Sequence, residues 1–234
     1  MHVFYTPDID TCDELPPDEA AHCLRVLRLS AGDEVMLTDG RGTMRRAVIA
    51  STEGKHCRVE VTETIPQPPL WTGHLHVAVA PTKNIDRMEW LAEKVTEIGI
   101  DELTFLDCRY SERRVVKTER VEKVVVSAVK QSLKARMPRV NAITPFRRFI
   151  DETTATQRFI AHCREGEKTL LRDAFRPGED TVVLIGPEGD FSDEEVAYAL
   201  QAGFRPVSLG PSRLRTETAA LVALHTMNLL SQTT

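Results

Sequence analysis

Two hydrophobic patterns divide the chain. Up to about residue 64, short apolar and β-branched runs lie close together between turn signals. Glu34-Val-Met-Leu-Thr38, Arg45 to Ser51 and His56 to Thr64 read as strands. Asp39-Gly40-Arg41-Gly42 reads as a hairpin turn and Glu53-Gly54 as another. Pro17 to Leu29 predicts a short helix, apolar at Ala21, Leu24, Val26 and Leu27. Closely spaced strands of this kind predict a small barrel. Ile65-Pro66-Gln67-Pro68-Pro69 then sets prolines where only an extended spacer fits, because proline removes a donor and breaks helices. The domain boundary is placed here, giving 1–70 and 71–234.

Beyond it the period changes. Leu75 to Ala80 reads as a strand, Arg87 to Ile98 as a helix stopped by Gly99, and Asp101 to Asp107 as the next strand. Val121 to Ala135 reads as a helix with an apolar face of Val121, Val124, Val125, Ala128, Val129 and Leu133. Gln157 to Cys163, Thr181 to Ile185 and Pro206 to Leu209 are further strands. A last helix runs to about Leu230 and is apolar on more than one face. Strands alternating with helices predict an α/β fold with a parallel sheet.

One stretch organises this second part. Thr181-Val-Val-Leu-Ile185 is apolar throughout, as a strand buried on both faces must be. It breaks at Gly186-Pro187-Glu188-Gly189-Asp190, after which Ser192 and Glu195 have the spacing of a capping box. The order is strand, glycine loop, helix. Pro206-Val-Ser-Leu209-Gly210 repeats it, followed by Pro211-Ser212-Arg213-Leu214-Arg215-Thr216-Glu217-Thr218-Ala219. In open α/β sheets ligands bind beyond the carboxyl ends of the strands. Two such ends side by side would make one crevice with two walls, its glycines admitting a ligand close to the backbone. The spacing alone allows any nucleotide-like ligand.

Composition narrows the class. The 234 residues are 41% hydrophobic and 28% charged, as in a soluble globular protein, with no transmembrane run or secretory signal, so a cytoplasmic location is expected. The five cysteines are scattered without metal-ligand spacing, and no metal site is expected. A net charge of −5 does not announce a nucleic-acid binder. Arg41 to Arg46, Arg109 to Lys123 and Lys130 to Arg139 are nonetheless local basic patches, and phosphate contacts need only a patch.

Taken together, Ile-Gly-Pro-Glu-Gly and Leu-Gly-Pro-x-x-Leu-Arg-Thr-Glu-Thr-Ala resemble the RsmE family. These are SPOUT-class methyltransferases of N3 of a uridine in 16S ribosomal RNA. The resemblance extends to His22 with Val26-Leu27-Arg28, Gly32-Asp33, Lys83 with Asp86-Arg87-Met88-Glu89, Lys94 to Gly99, Ser111-Glu112-Arg113 and Gln131-Ser132. Three features depart from it. Asp190 replaces a second glycine, Ser212-Arg213 shifts an arginine by one place, and Lys130 and Lys134 stand where Glu and Arg are usual.

The resemblance implies a PUA-like β-barrel over 1–70 that helps hold RNA. It implies a SPOUT domain over 71–234 whose carboxyl-terminal segment is threaded into a trefoil knot. It implies S-adenosyl-L-methionine as methyl donor, held by His162, Ile185, Gly186, Glu188, Gly189, Leu209, Gly210, Leu214, Arg215, Thr216 and Ala219. Removing the N3 proton and stabilising charge on the flanking carbonyls call for a base and a cation. Glu217 and Arg215 are the catalytic candidates, with Glu188 a second carboxylate. RNA contacts are expected from Arg28, Lys83, Arg109, Arg113, Gln131 and Lys134. A homodimer acting on 16S RNA within the small ribosomal subunit completes the expectation. Another SPOUT methylation, such as ribose 2′-O, or a non-catalytic RNA-binding assembly factor are the alternatives.

Overall fold

The structure, a computed structural model, describes residues 1–232. The chain forms two compact units. One joins Met1–Pro69 to Val126–Met137; the other joins Leu70–Val125 to the chain from Pro138 onward.

In the first unit, β1 (Val3–Tyr5), β2 (Glu34–Thr38), β3 (Thr43–Glu53) and β4 (His56–Pro66) form a sheet in that order. β1 is parallel to β2 and the remaining pairs are antiparallel. Alternation along the strands buries Val35, Leu37, Ala47, Ile49, Cys57 and Val59 against Phe4, Leu15 and Cys23. The single helix expected over Pro17 to Leu29 is instead α1 (Pro17–Ala21) followed by a π-helical turn, His22–Val26. The Leu27 N–H reaches the His22 carbonyl, and Arg28 ends the turn at φ 56°.

The second unit holds a seven-stranded sheet. Its elements are β5 (Leu75–Val79), α2 (Ile85–Ile98), β6 (Glu102–Asp107), α3 (Thr118–Gln131, whose later turns belong to the first unit), β7 (Arg139–Pro145), α4 (Phe146–Glu152), β8 (Gln157–Ala161), β9 (Thr169–Leu170), α5 (Leu171–Ala174), β10 (Thr181–Ile185), α6 (Asp193–Gln201), β11 (Arg205–Ser208) and α7 (Thr216–Ser231). The order is β7-β6-β5-β10-β8-β11-β9, and every pair is parallel. All five residues of β10 are buried, as a central strand covered on both faces requires. Helices supply the cover: Phe146, Phe149 and Ile150 of α4 join Val196 and Ala199 of α6 over Leu184 and Ile160.

Two expectations need correction here. β10 and β11 are not neighbours, because β8 lies between them. And α3 ends at Gln131 rather than Ala135. Leu133 takes φ 55° and the Lys134 N–H reaches back to the Val129 carbonyl, a left-handed helix stop of the kind usually made with glycine. Leu133 is therefore off the apolar face and 65% exposed.

Candidate active site

Parallel register sets three strand ends level. Ile185 of β10 stands opposite Val79 of β5 and Ala161 of β8. Beyond these carboxyl ends lies a cavity of ≈ 560 Å³, within the range of small-molecule sites. Of the expected residues it brings together Ile185, Gly186, Glu188, Gly189, Leu214, Arg215, Thr216 and Ala219. The loops are tied to one another: Thr216 Oγ1 donates to the Gly186 carbonyl at 3.1 Å.

His162, Leu209, Gly210 and Glu217 do not line this cavity, whereas Arg87, Ala161, Cys163, Pro187, Asp190 and Arg213 do. Ala161 and Cys163 enter because β8 is the neighbour of β10. His162, between them, is half-buried, and burial lowers its pKa. Arg213, one place from the family position, still reaches the cavity wall.

The glycines have reasons other than ligand approach. A Cβ on Gly186 would meet the Phe191 ring at 3.1 Å, and Phe191 is fully buried. Gly210 has open space around it but a φ of 121°, which side-chain-bearing residues rarely adopt. Asp190 holds φ 65° without being glycine. Asp is among the residues that tolerate this region through local hydrogen bonds. Here Oδ1 accepts from the Phe191 N–H at 2.8 Å and Oδ2 from the Cys163 N–H at 2.9 Å. The departure from the family thus ties the β8 loop to the β10 loop.

Behind the cavity, Glu217 is at the amino end of α7 with its side chain 9% exposed. Oε1 lies 3.7 Å from Arg87 Nη1, and Oε2 is buried with no hydrogen-bond partner among the described residues. An unpartnered buried polar atom costs roughly 1–3 kcal/mol. Arg215, exposed, is the N-cap residue of α7, and its carbonyl accepts the Ala219 N–H.

The expected RNA contacts divide between the units. Lys83, Arg109 and Arg113 belong to the second unit, Arg28, Gln131 and Lys134 to the first. The Lys83 side chain is exposed and pairs with Glu112 at 3.0 Å, while its N–H donates to Glu188 Oε1 at 3.1 Å. Arg113 directs its guanidinium onto the Thr82 and Lys83 carbonyls, so it holds this loop in place. The expected capping box is present: Ser192 Oγ accepts the Glu195 N–H and Glu195 Oε2 accepts the Ser192 N–H. Glu195 Oε1 also accepts the Arg109 N–H at 2.8 Å, which secures Arg109 beside the helix.

A second cavity, ≈ 630 Å³, opens at the amino ends of β5, β6 and β10. Part of its polar lining is bonded internally. Glu102 accepts from His74 and Asn141, and Thr104 Oγ1 meets both Asn141 and His76. Among the described residues no group of three or more His, Cys, Asp or Glu side chains could hold a metal ion, and no helix is long and apolar enough to cross a membrane.

Comparison with known proteins bears on this geometry. Residues 69–228 match the model of an RNA methyltransferase domain and residues 15–62 that of an RNA methyltransferase PUA domain. The ribosomal RNA small subunit methyltransferase E of Mycobacterium bovis is 31% identical over 99% of this chain and 91% of its own. A crystal structure of a probable rRNA-methyltransferase from Porphyromonas gingivalis is 48% identical, with TM-score 0.93 over 99% of this chain and 98% of that one. The ribosomal RNA small subunit methyltransferase E of Neisseria gonorrhoeae, bound to S-adenosyl methionine, is 27% identical with TM-score 0.88 over 98% of both chains. A seven-stranded parallel sheet with its cavity at the strand ends, a PUA-type first unit and these matches along the whole length make this chain a member of the RsmE family of RNA methyltransferases.

Proposed function

We propose that the protein methylates N3 of a uridine in 16S ribosomal RNA, with S-adenosyl-L-methionine as donor. The observation that carries this reading is the cavity beyond β5, β10 and β8, walled by Gly186 to Asp190 on one side and by Leu214, Arg215, Thr216 and Ala219 on the other. The residues present fit that cofactor. Backbone groups of the Gly186 loop suit an adenine edge and ribose hydroxyls, Ile185, Leu214 and Ala219 give apolar walls, and the volume suits one small molecule. When bound, the cofactor supplies an electrophilic methyl group. The chain's own groups do the rest.

Uridine N3 lies on the pairing edge, so the base must be unpaired or turned out to reach the cavity. Its N3–H is a weak acid, and loss of the proton places charge on the two flanking carbonyl oxygens. Arg215, exposed at the cavity rim, is assigned to those oxygens, where a preplaced cation acts strongly. Glu188, lining the cavity and fixed by the Lys83 N–H, is the better-placed carboxylate for the proton; Glu217 stands behind the wall. Lys83 and Arg109 of the second unit, and Arg28, Gln131 and Lys134 of the first, are assigned to the RNA backbone. The PUA-like unit holds the substrate, and the small ribosomal subunit in the cytoplasm is the setting.

A homodimer belongs to the same proposal. α7 buries Ala220, Ala223, Leu224 and Met227 and packs on α2, so one chain covers part of what the sequence left bare. Leu229 of α7 and Trp90 of α2 remain 57% and 42% exposed, and a two-fold contact is the commonest cover for such residues. Leu229→Glu is expected to give a monomer by sedimentation velocity at micromolar concentration; a wild-type chain already sedimenting near 26.3 kDa would exclude the dimer. The function itself is tested by incubating unmodified small subunits with labelled cofactor and mapping the label by nucleoside mass analysis. Label on ribose, or none, would overturn the assignment.

A further inference from the structure

Arg87 was not among the residues assigned a role from the sequence. α2 begins two residues before it, directly after the loop that follows β5. Arg87 lines the cavity, and its Nη1 sits 3.7 Å from Glu217 Oε1. Glu217 is behind the wall and nearly buried. The pair is therefore layered, with the carboxylate at the back and the guanidinium in front. A buried partner of this kind restricts a long side chain to one orientation, as outer-shell carboxylates do for other binding groups.

The rest of the lining shows what Arg87 faces. Two carboxyl groups and three arginines line the cavity. Both carboxyl groups are already engaged by backbone: Glu188 accepts the Lys83 N–H, and Asp190 accepts those of Phe191 and Cys163. Arg213 and Arg215 lie on exposed loop positions before α7. Arg87 alone of the three is backed by a carboxylate. An arginine carries five donors in a rigid fork, and one 3.7 Å contact occupies one edge at most. A fixed fork with a free edge, inside a small-molecule cavity, matches a ligand carboxylate.

We propose that Arg87, positioned by Glu217, receives the carboxylate of the cofactor's amino-acid part. The inference rests on the reading that this cavity holds S-adenosyl-L-methionine. Anchoring that end fixes the chain between carboxylate and sulfonium, and so aims the methyl group. Glu217 is then a positioning residue rather than the base. An RNA phosphate is the competing occupant.

The test is calorimetric titration of the full chain with S-adenosyl-L-methionine and with its decarboxylated analogue, which keeps the sulfonium and the ammonium. Wild type is expected to favour the carboxylate-bearing ligand by about 10- to 100-fold, the range of a charge-assisted hydrogen bond. Arg87→Met should erase that preference while leaving the analogue's affinity unchanged, which also shows that the variant is folded. Arg87→Lys should restore part of it, and Glu217→Gln should reduce it less than Arg87→Met does. Equal weakening of both ligands in Arg87→Met overturns the inference. So does an intact preference accompanied by loss of RNA affinity, the outcome for a phosphate contact. Ala219→Phe, which fills the cavity, separates the two levels. If it leaves cofactor binding untouched, or wild type binds neither ligand, the cavity reading falls and this inference with it. If it blocks binding while Arg87→Met keeps the preference, only the role of Arg87 falls.

Discussion

Arg215 joins an exposed loop to the first turn of α7, and its backbone is fixed by the bond from Ala219 while its side chain is free to meet a substrate. A cation aimed at developing charge acts mainly in the transition state. Arg215→Met should therefore lower kcat by about 10²- to 10³-fold with little change in cofactor affinity, as measured by single-turnover methyl transfer beside calorimetry. An unchanged kcat would remove Arg215 from the chemistry. Most lining residues were legible in the sequence because they sit in two contiguous motifs. Ala161, Cys163 and Arg87 were not, since each enters through a strand or helix neighbour that only topology supplies. Asp190 was legible as a departure, but that its carboxylate would bind the Cys163 N–H was not, because the partner lies 27 positions away.

Among the elements, strands and helix starts carried the clearest signals. β10 is uniformly apolar and α6 has its capping box, both local features. The stop of α3 was hidden because Leu133 carries no glycine-like cue, and β7 because its mixed residues are only half-buried. The amino ends of β5, β6 and β7 hold a different kind of information. His76 packs against Phe149, and burial lowers its pKa to about 4. The hydrogen bond from His74 lowers that of Glu102 to about 2, and the same bond raises that of His74. The signs are separable. His76 must stay neutral, so its contribution is lost as pH falls from 6.5 towards 4. Glu102 must stay charged, so its contribution is lost from 4.5 towards 2. His74 acts oppositely, adding stability below 6.5 that disappears as pH rises through its raised folded value. The net expectation is a stability that falls on acidification, from pH 6.5 through His76 and from pH 4.5 through Glu102, by on the order of 1–3 kcal/mol for each and read as a lower urea midpoint. His76→Phe should flatten the upper part of that fall; a profile identical to wild type would remove His76 as its source.

For the whole molecule, the proline spacer predicted a single cut, and the first unit begins with Met1–Pro69. Val126–Met137 nevertheless returns to it. The Gly42 N–H donates to the Ala135 carbonyl, the Met137 N–H to that of Gly40, and Lys130 pairs with the buried Glu19 at 2.6 Å. A period-based reading assigns α3 wholly to the second part, because nothing in a helix's own pattern says which neighbour covers it. A fragment of residues 71–234 keeps this segment without its partners. It is expected to lose on the order of 2–4 kcal/mol against the same unit in the full chain, visible as a lower urea midpoint; equal midpoints would show that the segment stands alone.

The returning segment also constrains how such a protein can be rebuilt, by breeders of chimaeras or by recombination. A first unit made only of residues 1–69 could be exchanged between relatives by one crossover in the proline stretch. With Gly40, Gly42 and Glu19 matched to residues 130–137, one crossover produces a hybrid whose paired pieces have different parents. Three crossovers, one in the proline stretch and one on each side of 126–137, are needed to move the unit intact. Single-junction hybrids should fail in proportion to the mismatch at those few pairings rather than to overall divergence.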